Sequence, residues 1–307
     1  MRYVKDFKNI QLTEDTVLSL GKFDGLHRGH ELLMDSVFEK AGAGLRTAVF
    51  TFDIPPQSTL SGMQRVITTN KEKQHLFQET GIDYLIECPF TEEIMHMEAE
   101  QFIREIVKRL RVKWIVVGTD FHFGYKRRGD YHMLRRHAEE YGYQVCVISK
   151  MQHQGREISS TYIREEIEKG NLELANELLG YPYFIQGTVV HGNQVGRTIG
   201  FPTINIQPPP QKLLPPYGVY VSFVWLDGRQ YKGITNIGRK PTIYGDNPVG
   251  AETYIYQFSG DVYEKEARVE LVHFVRPELK FDGVDALKEQ LQKDIVYGEQ
   301  YLAEQMT

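Results

Sequence analysis

Two histidines three apart, His27 and His30, sit in the stretch SLGKFDGLHRGHELL (19–33), between a glycine-rich turn and an apolar helical pattern. Strand, turn and helix in that order place free backbone N–H groups and the positive end of a helix dipole at the carboxyl edge of a strand. Such a place binds phosphate. Gly21 and Gly25 let a backbone come close to a ligand; Phe23 and Asp24 lie between them, and Gly29 lies between the histidines. Imidazoles one helical turn apart can face one point. Three readings fit the pair. A metal site would need a third ligand such as the Glu of HExxH, and none is nearby. Two surface histidines at a helix start would need nothing. Donors to a triphosphate, stabilising charge on a transferred group, suit the surrounding glycines best.

Two further constellations point the same way. EISSTYIREEI puts Ser159, Ser160 and Thr161 ahead of a helix with Arg164 on its first turn. Hydroxyls are ordinary helix caps; three in a row with an arginine make an anion clamp. VVGTDFHFGYKRRGD (116–130) follows an apolar run and sets Gly118, Asp120 and Gly124 in a loop, then Lys126, Arg127 and Arg128, which read either as a solvated patch or as a phosphate contact. In the second half, HGNQVGRTIGFPTINI (191–206) carries Gly192, Gly196, Arg197, Gly200, Pro202, Thr203 and Asn205. No Gly-Lys-Ser/Thr follows its glycines, so it is not a Walker A loop. It reads as a glycine-rich loop with a proline turn, or as a second nucleotide loop.

The elements that must position these residues differ between the halves. TVLSLG (16–21), RTAVFTFD (46–53), DYLIEC (83–88), WIVVG (114–118) and QVCVIS (144–149) are near-continuously apolar, as parallel strands covered on both faces are. EAEQFIREIVKRL between them puts Phe102, Ile103, Ile106, Val107 and Leu110 on one helical face, and YHMLRRHAEEYG reads likewise. Alternation of this kind predicts a doubly wound α/β sheet, with ligands at the carboxyl ends of its strands. After LLGYPYF the period changes. Strand patterns at 183–192, 218–238, 251–258 and 266–276 follow without helices, Asp227-Gly228 marks a hairpin, and VDALKEQLQKDIVYGEQYLAE closes the chain as a helix. A small antiparallel barrel of five or six strands is expected. The boundary falls where a helix ends at Gly180 and Pro182 forbids its continuation, giving domains 1–181 and 182–307.

Composition narrows the classes. The 307 residues suit two domains; 41% are hydrophobic, 25% charged, and the net charge of −5 argues against nucleic acid as a partner. No apolar run spans a membrane, and MRYVKDFKNIQLTED lacks the apolar core of a signal peptide. Cys88 and Cys146 lie in strand-like runs and read as buried thiols, which makes the cytoplasm the expected compartment.

GKFDGLHRGH resembles the nucleotidyltransferase signature related to the HIGH motif of class I aminoacyl-tRNA synthetases, and ISSTYIR resembles the second motif of that superfamily. With VVGTDFHFG between them, the first half is similar to the N-terminal module of the bacterial bifunctional riboflavin kinase/FMN adenylyltransferase (FAD synthetase) family. GRTIGFPTIN resembles the riboflavin kinase signature GRxLGFPTAN, with Ile204 for Ala. The resemblance implies a Rossmann-like, HIGH-type α/β domain followed by a riboflavin kinase barrel, with ATP as co-substrate, flavins (riboflavin, FMN, FAD) as substrate and product, and Mg²⁺ as cofactor. It assigns His27, His30 and Arg164 to ATP phosphates, the Gly21–Gly25 turn to nucleotide binding, and Thr203 and Asn205 to Mg²⁺ and phosphates; a hydroxyl and an amide oxygen are hard ligands suited to that ion. Counting back from QFSGD, the kinase base is Glu252. Tyr254 and Gln257 stand where the family has His and Asp, Lys22 replaces a common Asn, and DIPPQSTL has Pro55 where the family has His. Those changes leave two alternatives: an enzyme keeping one of the two activities, or a silent flavin- or nucleotide-binding regulator.

Overall fold

The apolar runs of the first half form one parallel sheet. The computed structural model describes residues 1–5, 7–42, 44–53, 65–192, 196, 199–239 and 249–304. In chain order the first elements are β1 (Arg2–Val4), β2 (Thr16–Leu20), α1 (Arg28–Ala41), β3 (Arg46–Phe52), α2 (Asn70–Thr80), β4 (Tyr84–Cys88), α3 (Glu92–Met95), α4 (Ala99–Leu110) and β5 (Val112–Gly118). Then come the short β6 (His122–Phe123) and β7 (Gly129–Asp130), α5 (Tyr131–Arg136), α6 (Ala138–Tyr141), β8 (Gln144–Ile148), and the hairpin of β9 (Gln152–His153) and β10 (Arg156–Glu157). The sheet order is β1-β4-β3-β2-β5-β8, every pairing parallel. Every residue of β2 is buried, Thr16 and Ser19 included, whose hydroxyls donate to Leu110 O at 2.7 Å and Val116 O at 3.0 Å. From β2 the chain moves outward through β3 and β4, then crosses to β5 on the other side. The gap between the carboxyl ends of β2 and β5 is therefore the topological switch point, where ligands of such sheets lie.

Several departures from the sequence expectation have local causes. β1 adds a sixth strand of three residues, too short for a periodic signal. The helix expected over YHMLRRHAEEYG breaks at His137 (φ −92°, ψ 1°) into α5 and α6, with Asp130 capping the first through Met133 N at 2.8 Å. On α4 Phe102, Ile103, Ile106 and Leu110 are buried, while Val107 lies at the margin of the core. Cys88 is buried, but Cys146 is only half-buried because β8 is an edge strand; neither forms a disulfide among the described residues.

The second half is a closed barrel. α7 (Ser160–Lys169) and α8 (Leu172–Leu179) precede β11 (Phe184–Val190), β12 (Thr203–Ile206), β13 (Gly218–Leu226), β14 (Arg229–Arg239), β15 (Val249–Ile255) and β16 (Glu266–Pro277), and α9 (Val284–Glu304) follows. The closed order is β11-β12-β15-β14-β13-β16, antiparallel throughout. Asp227 and Gly228 both take positive φ (49° and 75°) and join Leu226 to Arg229, the two-residue turn that matches strand twist. α9 lays Ile295 and Leu302 against Val219, Val221, Ile234 and Tyr256, and is fastened by the Arg276–Asp294 pair, with Nε to Oδ1 at 2.9 Å.

The chain divides into two compact units, Met1–Ser160 and Thr161–Thr307. The second unit includes α8, whose Ala175, Leu178 and Leu179 are fully buried. Asn176 on α8 donates to Leu271 O of β16 at 3.0 Å and accepts from Tyr183 N at 2.7 Å.

Candidate active sites

In the first unit the signature turn leaves β2 at Gly21, whose N–H donates to Phe50 O at 3.2 Å. Phe23 and Leu26 take positive φ (49° and 34°) although neither is glycine, and Gly25 does too (87°). Such backbone persists only where its surroundings over-determine it, and it clusters at functional sites. The surroundings are on hand. Asp24 Oδ1 accepts from Thr68 N at 3.0 Å, Gly25 N donates to Thr68 Oγ1 at 3.0 Å, and Ser160 Oγ donates to Asp24 O at 2.8 Å. The Phe23 ring is fully buried and meets Phe77 of α2 edge-on.

The turn delivers the histidines. His27 is the N-cap of α1, and its carbonyl accepts from His30 N and Glu31 N. The two rings stack at 3.8 Å between centroids, 24° from parallel, and Phe23 lies 5.1 Å from the His30 ring. A Cβ on Gly29 would lie 3.1 Å from the His27 ring, so the glycine makes room for it. His27 is 6% exposed. His30 is half-buried; burial, then the adjacent His27, push its imidazole well below the ordinary value, so it is neutral near pH 7. His30 Nδ1 is buried with no hydrogen-bond partner among the described residues. A neutral, unpaired imidazole at a helix start can donate to an oxyanion without first breaking a bond.

The other expected residues are placed as follows. Gly118 ends β5 at the switch point, and a Cβ there would lie 3.1 Å from Asp120 Oδ1. Asp120 turns to Lys150 Nζ at 3.1 Å, and Arg127 is exposed beside His122 Nδ1 at 3.4 Å. Ser159 precedes α7, and Ser160 is spent on the turn as described. Thr161 and Arg164 fall in the second unit, on the first and second turns of α7, Thr161 exposed and Arg164 half-buried. The segment 54–64, with Pro55, lies outside the described residues.

The second site stands on barrel strands. Register makes Asn205 of β12, Glu252 of β15 and Asn236 of β14 direct neighbours across three strands, so their side chains share a face. Thr203 Oγ1 donates to Glu252 Oε1 at 2.6 Å. Asn205 is 4% exposed, and its Oδ1 is buried with no hydrogen-bond partner among the described residues. Its amide fits only because residue 192 is glycine: a Cβ there would lie 2.5 to 2.9 Å from it. Gly196 sits where a Cβ would strike Phe201 O, and its carbonyl accepts from Phe201 N at 2.7 Å. Gly200 takes φ 90°, and Arg197 lies outside the described residues. Beside the strand row a cavity of about 400 Å³ is lined by Gly192, Pro202, Thr203, Asn205, Phe258 and Tyr263. Tyr263 stacks on His191 at 3.7 Å between centroids.

A buried oxygen acceptor without a partner costs free energy unless a donor or cation meets it. With the Thr203 hydroxyl proton given to Glu252, the oxygens of Thr203 and Asn205 both remain able to accept, which fits a hard cation. Among the described residues no group of three or more His, Cys, Asp or Glu side chains is placed to hold a metal by itself, so a cation here would take further ligands from phosphate.

Two contributors escaped the sequence reading. Thr68 has no distinguishing type, although Thr69-x-x-Glu72 behind it is a capping-box pattern that marks the start of α2. Asn236 becomes visible only through strand register.

The family models for FAD synthetase and riboflavin kinase match residues 9–162 and 179–302. A bifunctional riboflavin kinase/FMN adenylyltransferase of Listeria monocytogenes is 38% identical over 282 residues, 91% of this chain and 90% of its own length. The Escherichia coli (K12) enzyme of the same name is 35% identical, covering 96% of both chains. A solved structure from Streptococcus pneumoniae, described as a macrolide-efflux protein, matches with TM-score 0.84 and 30% identity over 97% of this chain and 98% of that one. Among the described residues no helix is long and apolar enough to cross a membrane. Two site-bearing units, matched in order by two family models and end to end by relatives of one name, make this chain a member of the bifunctional riboflavin kinase/FMN adenylyltransferase family.

Proposed function

We propose that the two sites act in sequence on one flavin. The chain phosphorylates riboflavin with ATP to give FMN and ADP, then transfers AMP from a second ATP to FMN, giving FAD and pyrophosphate. The observation that carries the division of labour is the row Thr203, Asn205 and Glu252 in the barrel, set against a turn with two stacked histidines in the first unit, whose own carboxylate, Asp24, is engaged by Thr68 N.

The acceptors explain the difference. Riboflavin offers a neutral ribityl hydroxyl. As its oxygen bonds to the γ-phosphorus and the bond to the β-bridging oxygen breaks, its proton passes to Glu252, which Thr203 holds in place. FMN offers a phosphate oxygen that is already ionised. It attacks the α-phosphorus and pyrophosphate leaves, with no proton to remove. That site needs charge neutralised, which suits the unpaired His30 Nδ1, the stacked His27 and the N-terminus of α1. Thr203 and Asn205 would hold Mg²⁺ in the barrel, where the ion supplies charge neutralisation on the phosphates. The 400 Å³ cavity, lined by Phe258 and by Tyr263, which stacks on His191, suits a nucleotide base.

We assign adenylyl transfer to 1–181 and the kinase to 182–307, in the cytoplasm, with small molecules rather than nucleic acid as partners. The test is direct: incubate the purified chain with riboflavin, ATP and Mg²⁺ and separate the flavins over time. FMN should rise first and FAD follow. FMN accumulating without FAD would leave a kinase alone.

A further inference from the structure

The first unit buries a charge pair that the two reactions leave unused. Lys73, in α2, is 2% exposed, and its Nζ lies 3.4 Å from Glu87 Oε1 at the end of β4. Glu87 is equally buried, and its other oxygen accepts from Tyr3 OH at 2.6 Å. Lys73 Nζ also donates to Phe52 O at 3.0 Å and lies 3.4 Å from Thr51 Oγ1, both at the carboxyl end of β3. Burial pushes the amine below its ordinary value, and Glu87 pulls it back. Taking both ions out of water costs several kcal/mol each, and apolar side chains of the same volume often hold such a place as well or better. Stability alone is thus a poor reason for the pair.

What the pair holds is informative. Thr51 Oγ1, the neighbour of Lys73 Nζ, donates to Lys22 O at 3.1 Å, directly before Phe23. Thr68, just ahead of α2, bonds to both Asp24 and Gly25. The helix therefore grips the turn at two points, one through Thr68 and one through Lys73 and Thr51. Between those points lies the positive-φ backbone of Phe23 and Gly25, which does not hold its shape by itself.

We propose that Lys73, fixed by Glu87 and Tyr3, is a positioning residue for adenylyl transfer: through Thr51 and the end of β3 it braces the Lys22–Gly25 turn at the spacing the nucleotide phosphates require. This rests on reading that turn as the nucleotide site.

The triple substitution Lys73→Met, Glu87→Leu, Tyr3→Phe removes both charges and the hydroxyl together, so no ion is left buried alone. Thr51→Val cuts the link to Lys22 by itself. Both are made in the full chain, with thermal melting and circular dichroism reporting the folding of the first unit and kinase activity that of the second. The triple variant should melt at or above the parent temperature and phosphorylate riboflavin normally. Its kcat for FAD formation from supplied FMN should fall at least about tenfold, with KM for ATP nearly unchanged, because a displaced turn spoils alignment more than binding. Thr51→Val should show the same split, smaller. Parent kcat in Thr51→Val, or in a triple variant with normal kinase activity, overturns the brace. His30→Ala, run alongside, separates the two readings. Loss of FAD formation there with normal rates in the other variants overturns the brace alone, whereas normal rates in all three overturn the site reading with it.

Discussion

The Gly21–His30 turn carries its polar groups on a loop and a helix start, whereas Thr203, Asn205 and Glu252 stand on adjacent strands of a closed barrel. The first arrangement concentrates donors: backbone N–H groups, two stacked imidazoles and a helix dipole. The second concentrates oxygens, one of them a carboxylate. Both serve phosphate chemistry on ATP, so the co-substrate does not explain the contrast. The acceptor does. An anion that attacks unaided needs neutralising surroundings, and an alcohol needs a base. Rigidity follows the same division, since the barrel fixes Glu252 by ladder pairing on both sides, while the turn depends on Thr68, Ser160 and the α2 brace.

The sharpest way to break this contrast is at the carboxylate. Glu252→Gln keeps the shape and removes the base, and FMN formation should drop about 10³-fold, within the range typical of general bases. A fall under tenfold would mean the hydroxyl loses its proton elsewhere. Next is His30→Ala: FAD formation from supplied FMN should fall about 10²-fold, comparable to loss of one oxyanion donor, while riboflavin phosphorylation holds. Loss of kinase activity in that variant would show that the sites are not separate. Asn205→Ala should weaken the kinase at least about tenfold and raise the Mg²⁺ concentration it needs, in line with the 10–100-fold costs seen around metal sites; an unchanged Mg²⁺ dependence would remove Asn205 from the cation.

Smaller effects concern stability. The packing of α8 on β16 predicts that a fragment beginning at Thr161 melts well above one beginning at Pro182, because the latter exposes the surface under Leu178 and Leu179, each worth about 1.5–3 kcal/mol when fully buried. Equal melting temperatures would leave α8 a mere linker. The least effect is on pH dependence. His30 has a depressed folded value, so between that value and 6.5 the unfolded chain binds the extra proton. Its contribution is complete above 6.5 and is lost as pH falls through that window, at no more than about 1.4 kcal/mol per pH unit. His30→Gln should flatten that slope in urea titrations of the full chain; an unchanged slope would place His30 in solvent.

The sequence made different parts of this legible for different reasons. Strands β2 to β5 show as apolar runs because burial on both faces leaves no room for polar alternation. β1 has three residues and no such run, and β12 hides inside a glycine-rich motif. The histidine pair was readable from spacing, since one helical turn suffices to bring the rings together. Asn236 and Lys73 were not, because their partners, Glu252 and Glu87, are set by strand register and by helix docking across the fold. Gly180 ends α8 as its sequence suggests, but the bond from Asn176 of α8 to Leu271 O of β16 had no local signal. Helix stops are local signals, whereas such contacts depend on which surfaces are buried together.

The most direct test of two chemically distinct sites is the second half-reaction in the Glu252→Gln chain: steady-state FAD formation from supplied FMN and ATP. The account predicts a rate within about twofold of the parent, since that site needs no base. A fall that matches the loss of FMN formation would contradict it.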